Sequence, residues 1–153
     1  MGGTRGPVPE GAYEVPIGVG DVKRVGTDVT IVAIGATVRT ALRAAKTLDA
    51  QGVSAEVVDP RTLVPMDHDL ILESVAKTGR LVVCDSARLT CSAASEIAAT
   101  VSERGFDLLK AAPVRVAWED VPIPFSPVLE GRVLVDEDRV LAAVRSTIEE
   151  ARI

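Results

Sequence analysis

Asp28-Val-Thr-Ile-Val-Ala-Ile34-Gly35 decides the fold. The run is β-branched and does not alternate with polar residues, which reads as a strand buried on both faces, the pattern of a parallel strand between helices. Directly after it, the stretch Ala36 to Ala50 places Val38, Ala41, Leu42, Ala45 and Leu48 on one side and Arg39, Arg43, Lys46 and Asp49 on the other. That spacing predicts an amphipathic helix, and Gly52 closes it.

The same alternation continues downstream. Ser54-Ala-Glu-Val-Val-Asp59 reads as a second strand. Asp67 caps a helix that turns Leu70, Ile71 and Val75 inward and ends at Gly79. Leu81 to Cys84 is a third strand, Ser92 to Glu103 an Ala-rich helix and Val114 to Val116 a fourth parallel strand. A last helix from Asp136 to Glu150 carries Val140, Leu141, Val144 and Ile148 on its apolar side. Upstream, Asp21-Val-Lys-Arg-Val25 faces the first parallel strand across Gly26-Thr27, which predicts an antiparallel edge hairpin. Strands alternating with helices imply right-handed crossovers, so the expected fold class is α/β: a three-layer α/β/α sandwich around a mostly parallel sheet of about five strands with one antiparallel edge strand. Residues 1–20, rich in glycine and proline, read as an arm or linker, and residues 21–153 as the domain. The rigid, apolar Val121-Pro-Ile-Pro-Phe-Ser-Pro127 is expected to need cover from the domain or from a neighbour.

Composition narrows the function. The chain has 153 residues, 47% of them hydrophobic and 3% aromatic, enough for one domain with an aliphatic core. With 17 Lys+Arg against 22 Asp+Glu the formal net charge is −5, so no nucleic-acid partner is expected: counterion release needs a basic face. No membrane partner is expected either, because the apolar stretches are strand-sized and broken by charge. The opening Met1-Gly-Gly-Thr-Arg5-Gly-Pro lacks the apolar core of a secretory signal, and the two cysteines, Cys84 and Cys91, form no CxxC pair. A reducing cytoplasm is the expected compartment.

Residues that are missing constrain the chemistry. There is no asparagine, one glutamine (Gln51) and one histidine (His68). A Ser-His-Asp or Cys-His device must use His68, which sits at a charged helix start, and a three-histidine zinc site is ruled out. Cys84, inside a β-branched strand, is expected to be inert, and Ser126 lacks the flanking glycines of a nucleophile elbow.

Ligands of open α/β sheets sit beyond the carboxyl ends of the strands. The first strand ends with a single glycine, Gly35, where a dinucleotide fingerprint needs three. The second ends Asp59-Pro60-Arg61-Thr62, a local ion pair locked by proline, from which Arg61 could meet a phosphate or carboxylate. The third ends Asp85-Ser86-Ala87-Arg88 and enters a helix through Thr90-Cys91-Ser92. Ser86, Arg88, Ser92 and Arg61 are therefore the candidate small-anion site, although capping by Ser92 explains the last turn without any ligand. A phosphoryl-receiver reading fails because the first strand ends without acids to join Asp85.

Four collinear segments resemble one family. They are Gly26-Thr-Asp-Val-Thr-Ile-Val32; Asp59-Pro-Arg-Thr-Leu-Val-Pro-Met-Asp67; Thr78-Gly-Arg-Leu-Val-Val83 with Ser95-Glu-Ile-Ala-Ala99; and Asp120-Val-Pro-Ile-Pro-Phe-Ser-Pro-Val-Leu-Glu130. Together they resemble the C-terminal, transketolase-like domain of the β subunit of the E1 component of thiamine-diphosphate-dependent 2-oxo acid dehydrogenases, in its pyruvate, branched-chain and acetoin branches. The departure is Leu134-Val135-Asp136, where the family commonly has a proline. The resemblance implies that thiamine diphosphate and Mg are bound in the full enzyme, between the E1 α subunit and the preceding pyrimidine-binding domain of β. The family's diphosphate motif needs Gly-Asp-Gly and later asparagines; here stand Gly20-Asp21-Val22 and no asparagine. No catalytic, cofactor-binding or metal residue is therefore assigned, and the chain alone is expected to be inactive. What the resemblance implies instead is assembly: contact with a second E1 β subunit, and docking of the small binding domain of the E2 acyltransferase. Glu96, Glu103 and the terminal carboxylate of Ile153 are the matching acidic candidates for that docking. The alternative is a free-standing small-anion-binding or regulatory domain.

Overall fold

The computed structural model describes residues 10–150, so residues 1–9 of the arm and Ile153 lie outside the described residues. The elements in chain order are β1 (Asp21–Arg24), β2 (Val29–Ala33), α1 (Thr37–Asp49), β3 (Ala55–Asp59), α2 (His68–Thr78), β4 (Leu81–Arg88) and α3 (Ala93–Arg104). A single 3₁₀ turn at Phe106–Leu108 leads to β5 (Val114–Trp118), α4 (Pro127–Val133) and α5 (Glu137–Glu150). The five strands form one sheet in the order β1-β3-β2-β4-β5, parallel except for β1.

β2 is buried along its whole length, as its unbroken apolar run requires. Side-chain alternation sends Val29, Ile31 and Ala33 to one layer and Val32 to the other. On the first face they meet Val38, Ala41, Ala45 and Leu48 of α1 and Val140, Leu141 and Val144 of α5. On the second face Val32, Val58, Leu81 and Val83 pack against Ile71 and Val75 of α2 and Ala94, Ile97 and Val101 of α3. Thr30 also points to this second side, where its hydroxyl lies 2.8 Å from that of Thr78. At about 25 cal/mol per Å² of apolar surface removed from water, these two layers hold the fold together.

The helix signals act through identifiable atoms. Asp67 Oδ1 accepts from the Leu70 amide at 3.1 Å, and Oδ2 accepts from the Gly20 amide at 2.9 Å, so the cap of α2 also ties down the chain entering β1. Gly79 ends α2 in the left-handed region at φ 75°. Ser92 accepts from the Ser95 amide at the start of α3, and Asp136 Oδ1 accepts from the Arg139 amide at the start of α5. Arg139 also donates to the carbonyls of Val133 and Ala117, fastening α5 to the end of β5.

Two expectations are corrected. The antiparallel edge strand exists, but β1 is not a hairpin partner of β2: it pairs with β3, with Val22 opposite Val58. The cause lies at Gly26, which crosses over the start of β3 instead of turning beside it. A Cβ there would lie 2.2 Å from Ala55 C and Glu56 N, so only glycine fits this approach. The Gly26 amide donates to Glu56 Oε2 at 3.2 Å, and the Thr27 and Asp28 amides donate to the Ser54 carbonyl. The second correction concerns the third strand, which does not end at Cys84. β4 runs on to Arg88, with an irregularity in its pairing to β5 between Cys84 and Arg88, so Ser86 and Arg88 belong to a strand extension.

Glu56 is wholly buried, unusually for a carboxylate. Its Oε2 also meets the Lys77 ammonium of α2, while Oε1 has no partner among the described residues.

The strand ends and the α3 flank as candidate functional site

The carboxyl ends of β2, β4 and β5 converge on one side of the sheet. At the centre, Thr37 of α1 donates to the carbonyls of Ile34 and Cys84 at 2.9 Å, closing the β2 and β4 ends against each other. Beside it Asp85 is buried and accepts from the Ala94 amide near the start of α3, at 3.3 Å. Desolvation raises its pKa above the ordinary aspartate range, against the opposing pull of the Ala94 and Ser86 amides. Cys84 is buried too; loss of hydration pushes its thiol up to about 12, which makes it inert as the sequence suggests. Cys91 is exposed and holds φ 55° in the turn before α3.

The candidate anion residues are placed apart. Ser86 lines a cleft of about 360 Å³ with Thr37, Thr40 and Trp118. Ser92 lines a different hollow, of about 530 Å³, with Leu63, Val64, Cys91 and Glu96. Arg61 sits beyond the end of β3, where its guanidinium pairs with Asp21 Oδ2 at 2.8 Å. The ion pair expected within Asp59-Pro60-Arg61 is therefore made with Asp21 instead; Asp59 accepts only the Arg61 backbone amide. Arg88 is exposed on the β4 extension.

Sequence reasoning missed the group that organises this region. Asp120 accepts from both the hydroxyl and the amide of Thr90, bonds that hold its carboxyl below the ordinary range, helped by Arg88 and Arg115. Arg115 donates to the Leu89 carbonyl at 3.0 Å and to the Ser95 hydroxyl. No local spacing links Thr90 to Asp120; only the pairing of β4 with β5 brings them together.

On the outer side of α3, Glu96 and Glu103 are both exposed and stand two helical turns apart on one face. Glu96 borders the hollow that also carries Leu63 and Val64, and Val64 is 92% exposed. The segment after β5 leaves Val121, Ile123, Phe125, Val128 and Leu129 in solvent. The cover anticipated for this proline-rich loop is not supplied by the described residues, and its end unexpectedly forms α4, with Pro127 in the first turn.

The family description "Transketolase, C-terminal domain" matches residues 18–140. The chain belongs to that family. It is 46% identical over 146 residues to the β subunit of acetoin:2,6-dichlorophenolindophenol oxidoreductase from Bacillus subtilis (strain 168), covering 95% of this chain and 43% of that protein. It is 41% identical over 145 residues to the pyruvate dehydrogenase E1 component β subunit of the same organism, covering 95% of this chain and 44% of the relative. Among solved structures, a split-gene transketolase described as an inactive β4 tetramer superposes with a TM-score of 0.80 at 34% identity, covering 92% of this chain and 45% of that one. The chain thus spans less than half the length of the curated relatives it matches. Among the described residues no helix is long and apolar enough to cross a membrane.

The transketolase-type cofactor can be tested against the residues present. Asp21, the acid of Gly20-Asp21-Val22, is engaged by Lys23 and Arg61, and those bonds hold its pKa below the ordinary range. Among the described residues no three His, Cys, Asp or Glu side chains cluster to hold a metal. These residues do not fit magnesium diphosphate.

Proposed function

We propose that this chain serves as the C-terminal assembly domain of the β subunit of a 2-oxo acid dehydrogenase E1 component, acting on pyruvate, a branched-chain 2-oxo acid or an acetoin-type substrate in the full complex. Thiamine diphosphate and Mg are then held by the E1 α subunit and the β pyrimidine domain, and this chain alone is not catalytic. The observation that carries the reading is the apolar ridge after β5, where Phe125 is 104% exposed and Ile123, Val128 and Leu129 stand beside it. Contiguous exposed apolar surface of this kind favours a protein interface, here with a second β subunit. The β4 assembly of the structural relative supports that choice.

The α3 flank is the docking surface for the E2 acyltransferase binding domain in this reading. Glu96 and Glu103 supply negative charge, and Leu63 and Val64 beside Glu96 supply apolar contact. Charge-led recognition speeds encounter and weakens as salt screens it.

Light scattering on the purified chain tests the first surface: a dimer or larger species is expected, and Phe125→Ser shifts it to monomer. Titration with an E2 binding domain at low and high salt tests the second. Binding weakened by salt and by Glu96→Gln with Glu103→Gln supports docking there. A chain that stays monomeric at all concentrations and ignores the E2 domain overturns the assembly reading.

A further inference from the structure

The sheet order contains a topological switch. From β2 the chain moves through α1, on one face, to β3; from β4 it moves through α3, on the opposite face, to β5. Adjacent parallel strands whose connections diverge in this way leave a crevice at their carboxyl ends, the place where open α/β sheets take small ligands. Here that crevice is the cleft of about 360 Å³ between Thr37 and Ser86, a volume in the usual range for small-molecule sites.

Its walls specify the ligand's chemistry. Trp118 at the end of β5 forms one side, and Ile123, Leu134 and Val135 from the segment after β5 form the outer wall. The hydroxyl of Thr37 is already committed to the Ile34 and Cys84 carbonyls, and that of Thr40 accepts from Arg43 at 3.3 Å. Glu130 is the one charged side chain on the lining, and it forms no ion pair with any described residue. The cleft therefore joins an indole, an aliphatic wall and one uncompensated carboxylate. Arg43 and Arg139 bond to the lining residues Thr40 and Leu134 but are not themselves on the lining, whereas a cation in the cleft gains from both the indole and the carboxylate.

We propose that this cleft is a binding site for a small organic amine, with its apolar body against Trp118 and the aliphatic wall and its ammonium directed at Glu130. The site borders the ridge through Ile123, but its test reads Trp118 and Glu130 rather than association, so its failure and the failure of the assembly reading are distinguishable.

Trp118 is the chain's single tryptophan and reports directly on the cleft. Phenethylamine titrated into the full chain should give a saturable change in its fluorescence. The isosteric neutral 2-phenylethanol should bind about tenfold more weakly, as expected for loss of one partly shielded cation contact. 3-Phenylpropanoate should give no saturable response. Glu130→Gln should weaken phenethylamine about tenfold and leave the alcohol unchanged, a selectivity that mere unfolding would not produce. Glu73→Gln, on the exposed side of α2, should bind like the original chain. Absence of a saturable response to phenethylamine, equal affinity for the amine and the carboxylate, or unchanged amine affinity in Glu130→Gln would each overturn the proposal.

Discussion

β2 and the ridge after β5 are comparably apolar, and their fates are opposite. All five residues of β2 are buried between two layers of helices, whereas Val121, Ile123, Phe125, Val128 and Leu129 stand in solvent. Hydrophobicity alone does not set burial; periodicity and backbone freedom do. A β-branched run that feeds an amphipathic helix can be sandwiched by the chain's own elements. A segment with φ fixed at Pro122, Pro124 and Pro127 cannot fold back to cover itself, so its apolar side chains are left for another surface. The first region makes the fold, and the second leaves apolar surface that the proposed assembly would cover.

The sharpest way to break that contrast is at the centre of the sheet. Ile31 is fully buried in β2. Ile31→Ala is expected to cost about 4 kcal/mol, because the cavity adds to the lost transfer energy. Urea denaturation followed by circular dichroism measures it, and a loss below about 1 kcal/mol would mean that the core repacks freely.

Next in size is the buried carboxylate. Lys77→Met leaves Glu56 without its counter-charge, wedged beside Gly26 in the crossover to β2. Because the Lys77 side chain is 43% exposed, water relieves part of the penalty, and a loss of about 2 kcal/mol is expected, below the full cost of breaking a buried pair. The double change Glu56→Gln with Lys77→Met should recover part of it in the same denaturation experiment. Full additivity of the two single losses would show that the pair is not coupled.

How much of this was legible in the sequence follows from the range of each interaction. The β2–α1 unit, the Asp67 cap and the Gly79 stop rest on neighbours within a few residues, and the sequence displays them. The partner of β1 was misassigned because pairing with β3 depends on a close backbone approach at Gly26, which no periodicity encodes. Arg61 finds Asp21 across 40 positions, and Thr90 finds Asp120 across 30, so local reading put Arg61 with the nearer acid and overlooked Asp120. The helix α4 was hidden by the prolines that begin it. The Ser86 cleft was half visible: the strand end was identified, but its outer wall comes from the segment after β5.

A smaller effect separates the carboxylates by sign. The folded pKa of Asp85 is raised by burial, so the folded state holds its proton more tightly than the unfolded chain does. Its contribution is then fully present below the ordinary aspartate value and is lost as pH rises through the raised one. Asp85→Asn should therefore gain stability relative to the original chain as pH rises above the ordinary aspartate value, while its amide oxygen can still accept from Ala94. Asp21, whose pKa is lowered chiefly by its bond to Lys23, works the other way: its stabilisation is present above the ordinary value and is lost as pH falls through the lowered one. Urea midpoints measured from below to above the ordinary aspartate value check both, and the same slope in Asp21→Asn and Asp85→Asn would contradict the assignment.

The smallest expected change in stability is the most informative about the ridge. Phe125 is larger than Ile31, yet with its side chain wholly in solvent there is no packing to lose. Phe125→Ala should shift the monomer's unfolding free energy by no more than about 0.5 kcal/mol, the usual range for a surface change. If the ridge is an interface, the change emerges only where copies associate: the original chain's apparent stability should rise with protein concentration by mass action, and the variant's should not. Denaturation at dilute and concentrated protein separates the two cases. A concentration-independent loss of several kcal/mol in Phe125→Ala would mean that the ridge is covered by its own chain, and the division between a fold-making strand and a partner-seeking loop would then fail.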